Sequence, residues 1–283
     1  MLQGSCLCGD VAWQASGALE WMHHCHCSLC RKAHGTAFGT YLMTPADGFR
    51  LLRGAERAVA FASSKAVTRQ FCGRCGTALP EADDGDGQIV LPVGPCDDDP
   101  GVRAEAHIFV ASKAPWYEIR DALPRFDAFP PGIDAPVCAD RPSRDPAGRP
   151  RGSCLCGAVG FVVEGEIQRA TNCHCGRCRK ARAAAHASNF FTSEAGLRFT
   201  RGAERLELFK LPGARYFAQA FCRDCGGKLP RLDPERKLAV VPMGSLDDDP
   251  GVRPTAHIFV ASKAPWYVIP DDLPRHAEGL PPA

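Results

Sequence analysis

Fourteen of the sixteen cysteines follow one order that occurs twice: C-x-C, then C-x-C-x-x-C, then C-x-x-C. The first copy is Cys6, Cys8, Cys25, Cys27, Cys30, Cys72 and Cys75; the second is Cys154, Cys156, Cys173, Cys175, Cys178, Cys222 and Cys225. Thiols at one- and two-residue spacings suit a tetrahedral thiophilic metal, so any fold of this chain must gather sulfurs from distant segments. Seven is an odd number per copy. Four sulfurs close one site, and three remain to form a second with one position open.

The offset between copies is 148 from Cys6/Cys154 to Cys30/Cys178 and 150 at Cys72/Cys222, which places a two-residue insertion in copy two. DDDPGVR (from 97 and 247) and AHIFVASKAPWY (from 106 and 256) are identical runs, the mark of tandem duplication. The 283 residues therefore divide into domains 1–133 and 151–283, joined by a Pro-, Gly- and charge-rich linker at 134–150. LPRFDAFPPG before the linker is echoed by LPRHAEGLPP near the C-terminus, and so belongs to domain one. The linker arginines Arg141, Arg144 and Arg149, with Arg151 just beyond, are interrupted by Asp140 and Asp145 and read as solvated charge.

Lys plus Arg is 34 against 32 acidic residues, which excludes a broad electrostatic footprint for nucleic acid or an anionic membrane. The N-terminus has no apolar core of an export signal and no stretch is long enough to span a bilayer, so a cytoplasmic location is expected. In a reducing compartment, dense cysteines indicate metal thiolates over disulfides. Cys96 and Cys138 lie outside the repeat and are expected to be free thiols.

Short alternating segments (VAWQA, VGFVVEG, AVTRQF, ARYFAQAF, IVLPVG, LAVVPMG, HIFVAS) predict strands, with a turn or two of helix in RKAHGTA and RKARAAA after each triplet. The fold class is all-β.

FCGRCG and FCRDCGG have the form of zinc knuckles, in which Gly73, Gly76 and Gly226 allow a tight turn with amide hydrogen bonds to sulfur. The simplest partner for each knuckle is the C-x-C near the start of its copy. Closed structural sites are thus expected at Cys6, Cys8, Cys72, Cys75 and at Cys154, Cys156, Cys222, Cys225, each contributing folding free energy on the order of 10 kcal/mol. The remaining triplets, Cys25, Cys27, Cys30 and Cys173, Cys175, Cys178, each offer three thiolates from a six-residue loop, the ligand set of a catalytic metal with an open position. Arg31, Lys32, Arg179 and Lys180 follow at once, either balancing thiolate charge, receiving a ligand carboxylate or lying solvated on the surface.

Other readings compete. A C-x-x-C is also a redox pair, though no βαβ pattern surrounds either one. A histidine completing a triplet would make it structural: His23, His24 and His26 lie close in copy one, His174 and Asn172 in copy two. Adjacent His26 is sterically poor, which leaves His24 or the distant His107. His107 and His257 otherwise read as strand histidines, and Trp116 and Trp266 as packing residues.

GSCLCGDVAWQA, CHCSLCRKAHGTAF, FCGRCGTAL and HIFVASKAPWY resemble the glutathione-dependent formaldehyde-activating (GFA) family, the CENP-V/GFA domain, over nearly the whole of both copies. The resemblance implies two tandem Mss4-like (β-tent) domains and about two Zn2+ per domain. It assigns the quartets as structural ligands and Cys25, Cys27, Cys30, Cys173, Cys175 and Cys178 as active-site ligands. It also implies a carbon–sulfur lyase of the S-(hydroxymethyl)glutathione synthase type, with glutathione as co-substrate and a small aldehyde as partner. The alternative is a non-catalytic zinc- and thiol-binding module or glutathione carrier, and a metal or redox sensor is a third reading. Copy two departs from the family pattern, with Ala183 and His186 where copy one has Gly35 and Phe38. Copy one is therefore expected to hold the conventional site, and the two domains are expected to pack on each other.

Overall fold

A computed structural model describes residues 1–65, 67–81, 85, 87–133 and 148–281. Most of the predicted linker, with Cys138, lies outside the described residues. The architecture is all-β, with two tandem copies, several small sheets and two short helices, α1 (Ser28–His34) and α2 (Gly176–Arg182).

In copy one, Leu2–Ser5, Ala12–Ala15 and Phe49–Arg53 form an antiparallel three-stranded sheet. A four-stranded sheet runs Ala106–Ile108, Glu20–Cys25, Gly39–Pro45, Gln88–Pro92, with its first pair parallel and the others antiparallel. The third sheet, Ala58–Ala62, Thr68–Cys72 and Ala78–Leu79, carries the knuckle at the end of its middle strand. Copy two repeats this plan, and its central sheet includes Arg231–Asp233 as a fifth strand. The alternating segments fold as strands because β-branched and aromatic residues on one face find buried partners; Trp13, Phe38, Phe71, Phe161, Phe190 and Phe221 share one apolar cluster.

Two local expectations are corrected. HIFVAS is a strand only over Ala106–Ile108 and His257–Ile258, because Phe109 and Phe259 enter the left-handed region at φ 56° and turn the chain into a 3-10 helix. Each triplet is likewise a strand–helix junction and not a loop: Cys25 ends a strand, Cys27 caps α1, and Cys30 lies within it. Cys27 Sγ accepts the Cys30 amide at 3.3 Å, with the equivalent bond at Cys175/Cys178. Ala183 takes the left-handed C-cap position at φ 50°, so losing the glycine of Gly35 leaves the turn in the same conformation.

The copies contact one another through equivalent elements. Lys32 of α1 donates to Ser153 Oγ (2.5 Å) and Asp247 (2.5 Å), while Lys180 of α2 donates to Ser5 Oγ (2.6 Å) and pairs with Asp97. The cations that follow the triplets are thus spent on joining the halves. The end of α1 rests on Gly244 and the end of α2 on Gly94, where a Cβ would come within 2.3 Å of the Thr36 amide and 2.0 Å of the Ala184 amide. Lys228, fully buried, donates to the Gly76 carbonyl of one knuckle (2.5 Å) and the Gly226 carbonyl of the other (2.9 Å). His186 meets Phe38 across this seam, ring centroids 5.8 Å apart.

Two consequences are measurable. Lys32 and Asp247 are 7% and 14% exposed, whereas Asp97 is 41% exposed. Removing one partner of a buried pair strands the other charge at a cost of about 3–5 kcal/mol, against about 0–1 kcal/mol for an exposed pair. Asp247→Asn should therefore lower the denaturant midpoint several times more than Asp97→Asn. Burial holds His34 down at about 4 and His186 at about 3, against 6.5 for the free side chain. The unfolded chain binds protons below 6.5 that the folded chain refuses, so stability falls as pH drops from 6.5 towards 4 and below. In chemical denaturation across that range, His186→Phe should flatten the loss by up to about 1.4 kcal/mol per pH unit; an unchanged slope would show that His186 is not held neutral.

Candidate metal centres and an open cavity

All four predicted clusters assemble. The four Sγ atoms of Cys6, Cys8, Cys72 and Cys75 lie within 4.8 Å of one another, as do those of Cys154, Cys156, Cys222 and Cys225. Observed separations include 3.4 Å for Cys6–Cys8 and 3.7 Å for Cys8–Cys72. A tetrahedron with Zn–S bonds of about 2.3 Å has sulfurs about 3.8 Å apart, so the spacing fits such an ion. Electrostatics point the same way. Hydrogen bonds from Cys6, Cys72 and Cys8 drive Cys75 far down, while the same sharing pushes Cys8 and Cys72 up. Four packed thiols cannot all ionise together without a counter-charge, and a divalent cation would replace the shared protons.

Each quartet is supported by backbone amides. Val11 donates to Cys6 Sγ and Val159 to Cys154 Sγ, both at 3.3 Å, and the Cys156 amide donates to Cys225 Sγ at 3.4 Å. Gly76 and Gly226 occupy the left-handed region at φ 71° and 68°. Gly73, expected to share that role, does not, and Arg223 replaces it in copy two without disturbing the turn. Cys96, outside the clusters, is buried, and burial pushes its thiol up to about 12.

Cys25, Cys27 and Cys30 form one three-sulfur cluster and Cys173, Cys175 and Cys178 another, within the same 4.8 Å limit, and no histidine joins either among the described residues. The histidines are engaged elsewhere. His24 Nδ1 bonds Thr40 Oγ1 at 2.9 Å. His107 Nε2–H donates to Asp121 at 2.9 Å, so its Nδ1 accepts from His26 Nε2–H at 2.8 Å; His174, His257 and Asp271 repeat this chain. The residue between the first two cysteines of each triplet therefore anchors the strand from which they project. Trp116 and Trp266 are buried packing residues, as expected.

Around these sulfurs the copies diverge. In copy one, Arg69 Nη2 donates to Cys30 Sγ at 3.3 Å and Arg69 Nη1 to the Tyr41 hydroxyl oxygen at 3.0 Å, with Glu81 3.1 Å from the same guanidinium. His34 Nδ1–H donates to the Arg182 carbonyl, leaving Nε2 to accept the Tyr41 hydroxyl at 2.7 Å. Cys30 is held well below the usual thiol range by hydrogen bonds from Cys25 and Cys27, with the Arg69 charge adding to them. The void beside this network, lined by His34, Tyr41 and Arg69 among others but by none of the three sulfurs, is about 20 Å³.

Copy two carries Arg182, Asn189, Gln219 and Arg231 at the positions of His34, Tyr41, Arg69 and Glu81. Gln219 turns away, donating to the Cys75 and Ala181 carbonyls at 3.0 and 2.8 Å. A cavity of about 680 Å³ opens in consequence, and Cys173, Cys175 and Cys178 line it. Its size suits a small organic ligand. Hydrogen bonds from Cys173 and Cys178 lower the Cys175 thiol, and Cys175 lines this cavity. Sequence reasoning missed Tyr41, Arg69 and Glu81 and their replacements. Aligning the copies at an offset of 148 before the two-residue insertion and 150 after it would have exposed them as a block of four polar changes around otherwise equivalent sulfurs.

Comparison with known proteins agrees with the duplication. The family described as "Glutathione-dependent formaldehyde-activating enzyme" matches twice, over residues 1–112 and 149–262. A Halomonas elongata protein named "Putative glutathione-dependent formaldehyde-activating enzyme" is 31% identical over 128 residues, covering 42% of this chain and 81% of that one. A crystal structure of a Rhodobacter sphaeroides protein, a structural-genomics target, is 30% identical and covers 37% of this chain and 97% of its own, with a TM-score of 0.30. Among the described residues no helix is long and apolar enough to cross a membrane. With its sulfur clusters in place and both copies matched, the chain belongs to the glutathione-dependent formaldehyde-activating enzyme family.

Proposed function

We propose that this protein makes or breaks the carbon–sulfur bond between a small thiol and a small aldehyde, glutathione and formaldehyde being the pair the family description names. The reaction is assigned to the triplet of copy two. In the synthetic direction the thiol sulfur bonds to the carbonyl carbon and the thiol proton ends on the former carbonyl oxygen; the lyase direction reverses both changes. The observation that carries this reading is the cavity of about 680 Å³ lined by Cys173, Cys175 and Cys178, against a void of about 20 Å³ beside Arg69 and Tyr41 in copy one.

Zn2+ suits both cluster types by donor chemistry and sulfur spacing: the quartets offer four thiolates and the triplets three. At a three-sulfur site zinc would supply Lewis acidity, lowering the pKa of a thiol and polarising a carbonyl. The protein's own part is positioning and exclusion of water. The Cys27 and Cys175 caps fix one sulfur of each triplet against a helix amide. Phe191, Ile258 and Phe259 give the cavity apolar walls, and Asn189 Oδ1 accepts from Arg182 Nη2 at 3.0 Å, holding that guanidinium at the cavity edge.

The expectation that copy one holds the conventional site rested on Gly35 and Phe38. The geometry supports the opposite allocation: Arg69 and Tyr41 occupy the approach to Cys30, so copy one suits the alternative role of a zinc-binding module without turnover. The domain boundaries 1–133 and 151–283, with the linker between, remain part of this proposal, as does a cytoplasmic setting, where thiols stay reduced.

Metal analysis of the full chain should give about four zinc ions, with Cys27→Ser and Cys175→Ser each losing one and staying folded. Cys175→Ser should reduce acceleration of adduct formation to the uncatalysed rate, whereas Cys27→Ser should keep more than about half of it. Loss of activity in Cys27→Ser alone would move the reaction to copy one. A zinc-loaded wild type that leaves the rate unchanged would remove the catalytic reading.

A further inference from the structure

Among the described residues, the walls of the copy-two cavity hold six arginines, Arg169, Arg177, Arg182, Arg215, Arg231 and Arg236, and no aspartate or glutamate. They come from separate elements: the strand Ile167–Cys173, helix α2, the segment 211–217 that contains the two-residue insertion, the strand Arg231–Asp233 and the turn Pro234–Arg236. Copy one has Trp21, Leu29, His34 and Glu81 where copy two has Arg169, Arg177, Arg182 and Arg231. The positive lining therefore belongs to copy two and to its cavity, and is no general feature of the fold.

Aromatic faces hold four of these guanidinium groups. Arg169 lies 4.5 Å over Phe191 and Arg177 5.9 Å over Phe217, while Arg215 and Arg236 lie 4.8 and 4.4 Å over the ring of Tyr216. Stacking fixes the plane of a guanidinium while leaving its N–H edge available for a carboxylate or phosphate. Among the described residues, Asp233 is the carboxylate engaged with the set, bonding Arg231 and Arg236. Arg182 is buried, with its Nη2 on Asn189 Oδ1 and its Nη1 against Gly35 of copy one.

We propose that this cavity is a receptor for organic anions that carry at least two carboxylate or phosphate groups and no ammonium group. Resting on the reading of the copy-two triplet as the reactive centre, this narrows its substrate: the charge sits on the thiol or on the aldehyde that reacts there. Glutathione brings two carboxylates and an α-ammonium, and the cavity lining offers that ammonium no carboxylate partner. A compact dianion avoids the mismatch, and Arg-only recognition favours planar, bidentate groups.

The test is isothermal titration of the full chain with mercaptosuccinate, glutathione, cysteamine, succinate and glyoxylate, in wild type and in the double variant Arg169→Gln/Arg215→Gln. Both altered side chains are exposed and serve no structural hydrogen bond shown for the described residues, so the fold should survive; an unchanged thermal melt checks this. Mercaptosuccinate should bind about tenfold or more tightly than glutathione, should weaken about tenfold in the double variant and should weaken further with salt. Mercaptosuccinate and succinate binding more tightly than the monoanion glyoxylate supports a receptor for two anionic groups; the reverse order overturns it. Glutathione or cysteamine binding as tightly as every dianion, or dianion binding unchanged in the double variant, overturns it. Succinate binding should persist in Cys175→Ser, so failure of the proposed reaction and failure of the anion receptor give different results.

Discussion

Buried thiolates need a counter-charge, and its source sets the role of each sulfur cluster in this protein. The donor set of each quartet suits a cation at the centre of four sulfurs, and in copy one the mutual hydrogen bonds of those sulfurs drive Cys75 down and Cys8 up. That requirement ties the first strand of each copy to the knuckle some 66 residues later (Cys6 to Cys72) and makes the fold depend on the cluster. The three-sulfur clusters have the same need, and the two copies meet it differently. Arg69 reaches Cys30 in copy one; in copy two the corresponding Gln219 binds backbone carbonyls and a cavity takes the space.

Duplication made this division available. The halves share reciprocal contacts, Lys32 with Asp247 and Lys180 with Asp97, and the α1 and α2 ends resting on Gly244 and Gly94, so either triplet can change without losing the seam. The changes are concentrated around the three-sulfur clusters, and two of them, at His34 and Gln219, also bond across the seam, to the Arg182 and Cys75 carbonyls. His34, Tyr41, Arg69 and Glu81 form one connected network, and substituting all four by Arg182, Asn189, Gln219 and Arg231 removes the plug while adding positive charge. A single replacement would have left an unpaired buried group, which explains why the differences occur together.

Much of the chemistry was legible in the cysteine order. Spacing and counting alone separate four sulfurs from three in each copy, and the structure gathers those same sets. Turn chemistry at Gly76 and Gly226 was legible too, since a left-handed residue is required there. What spacing could not reveal was access. Gly35 and Phe38 pointed to copy one, yet Ala183 adopts the same left-handed cap, and the groups that distinguish the two triplets, Arg69 and Tyr41, are 39 and 11 residues from Cys30 and adjacent to it only after folding. The parallel strand pairing that brings His107 to His26 is equally non-local, which is why His107 stood as a candidate ligand when its partners are His26 and Asp121.

The inequivalence of the two triplets is the centre of this account, and cobalt substitution reads it directly. With Co2+ in the metal sites of the full chain, titration with a small thiol should perturb the visible absorption with a stoichiometry of about one thiol per chain. Cys175→Ser should abolish that change and Cys27→Ser should preserve it. A stoichiometry of two, or a response lost in Cys27→Ser and retained in Cys175→Ser, would contradict the assignment of the open position to copy two.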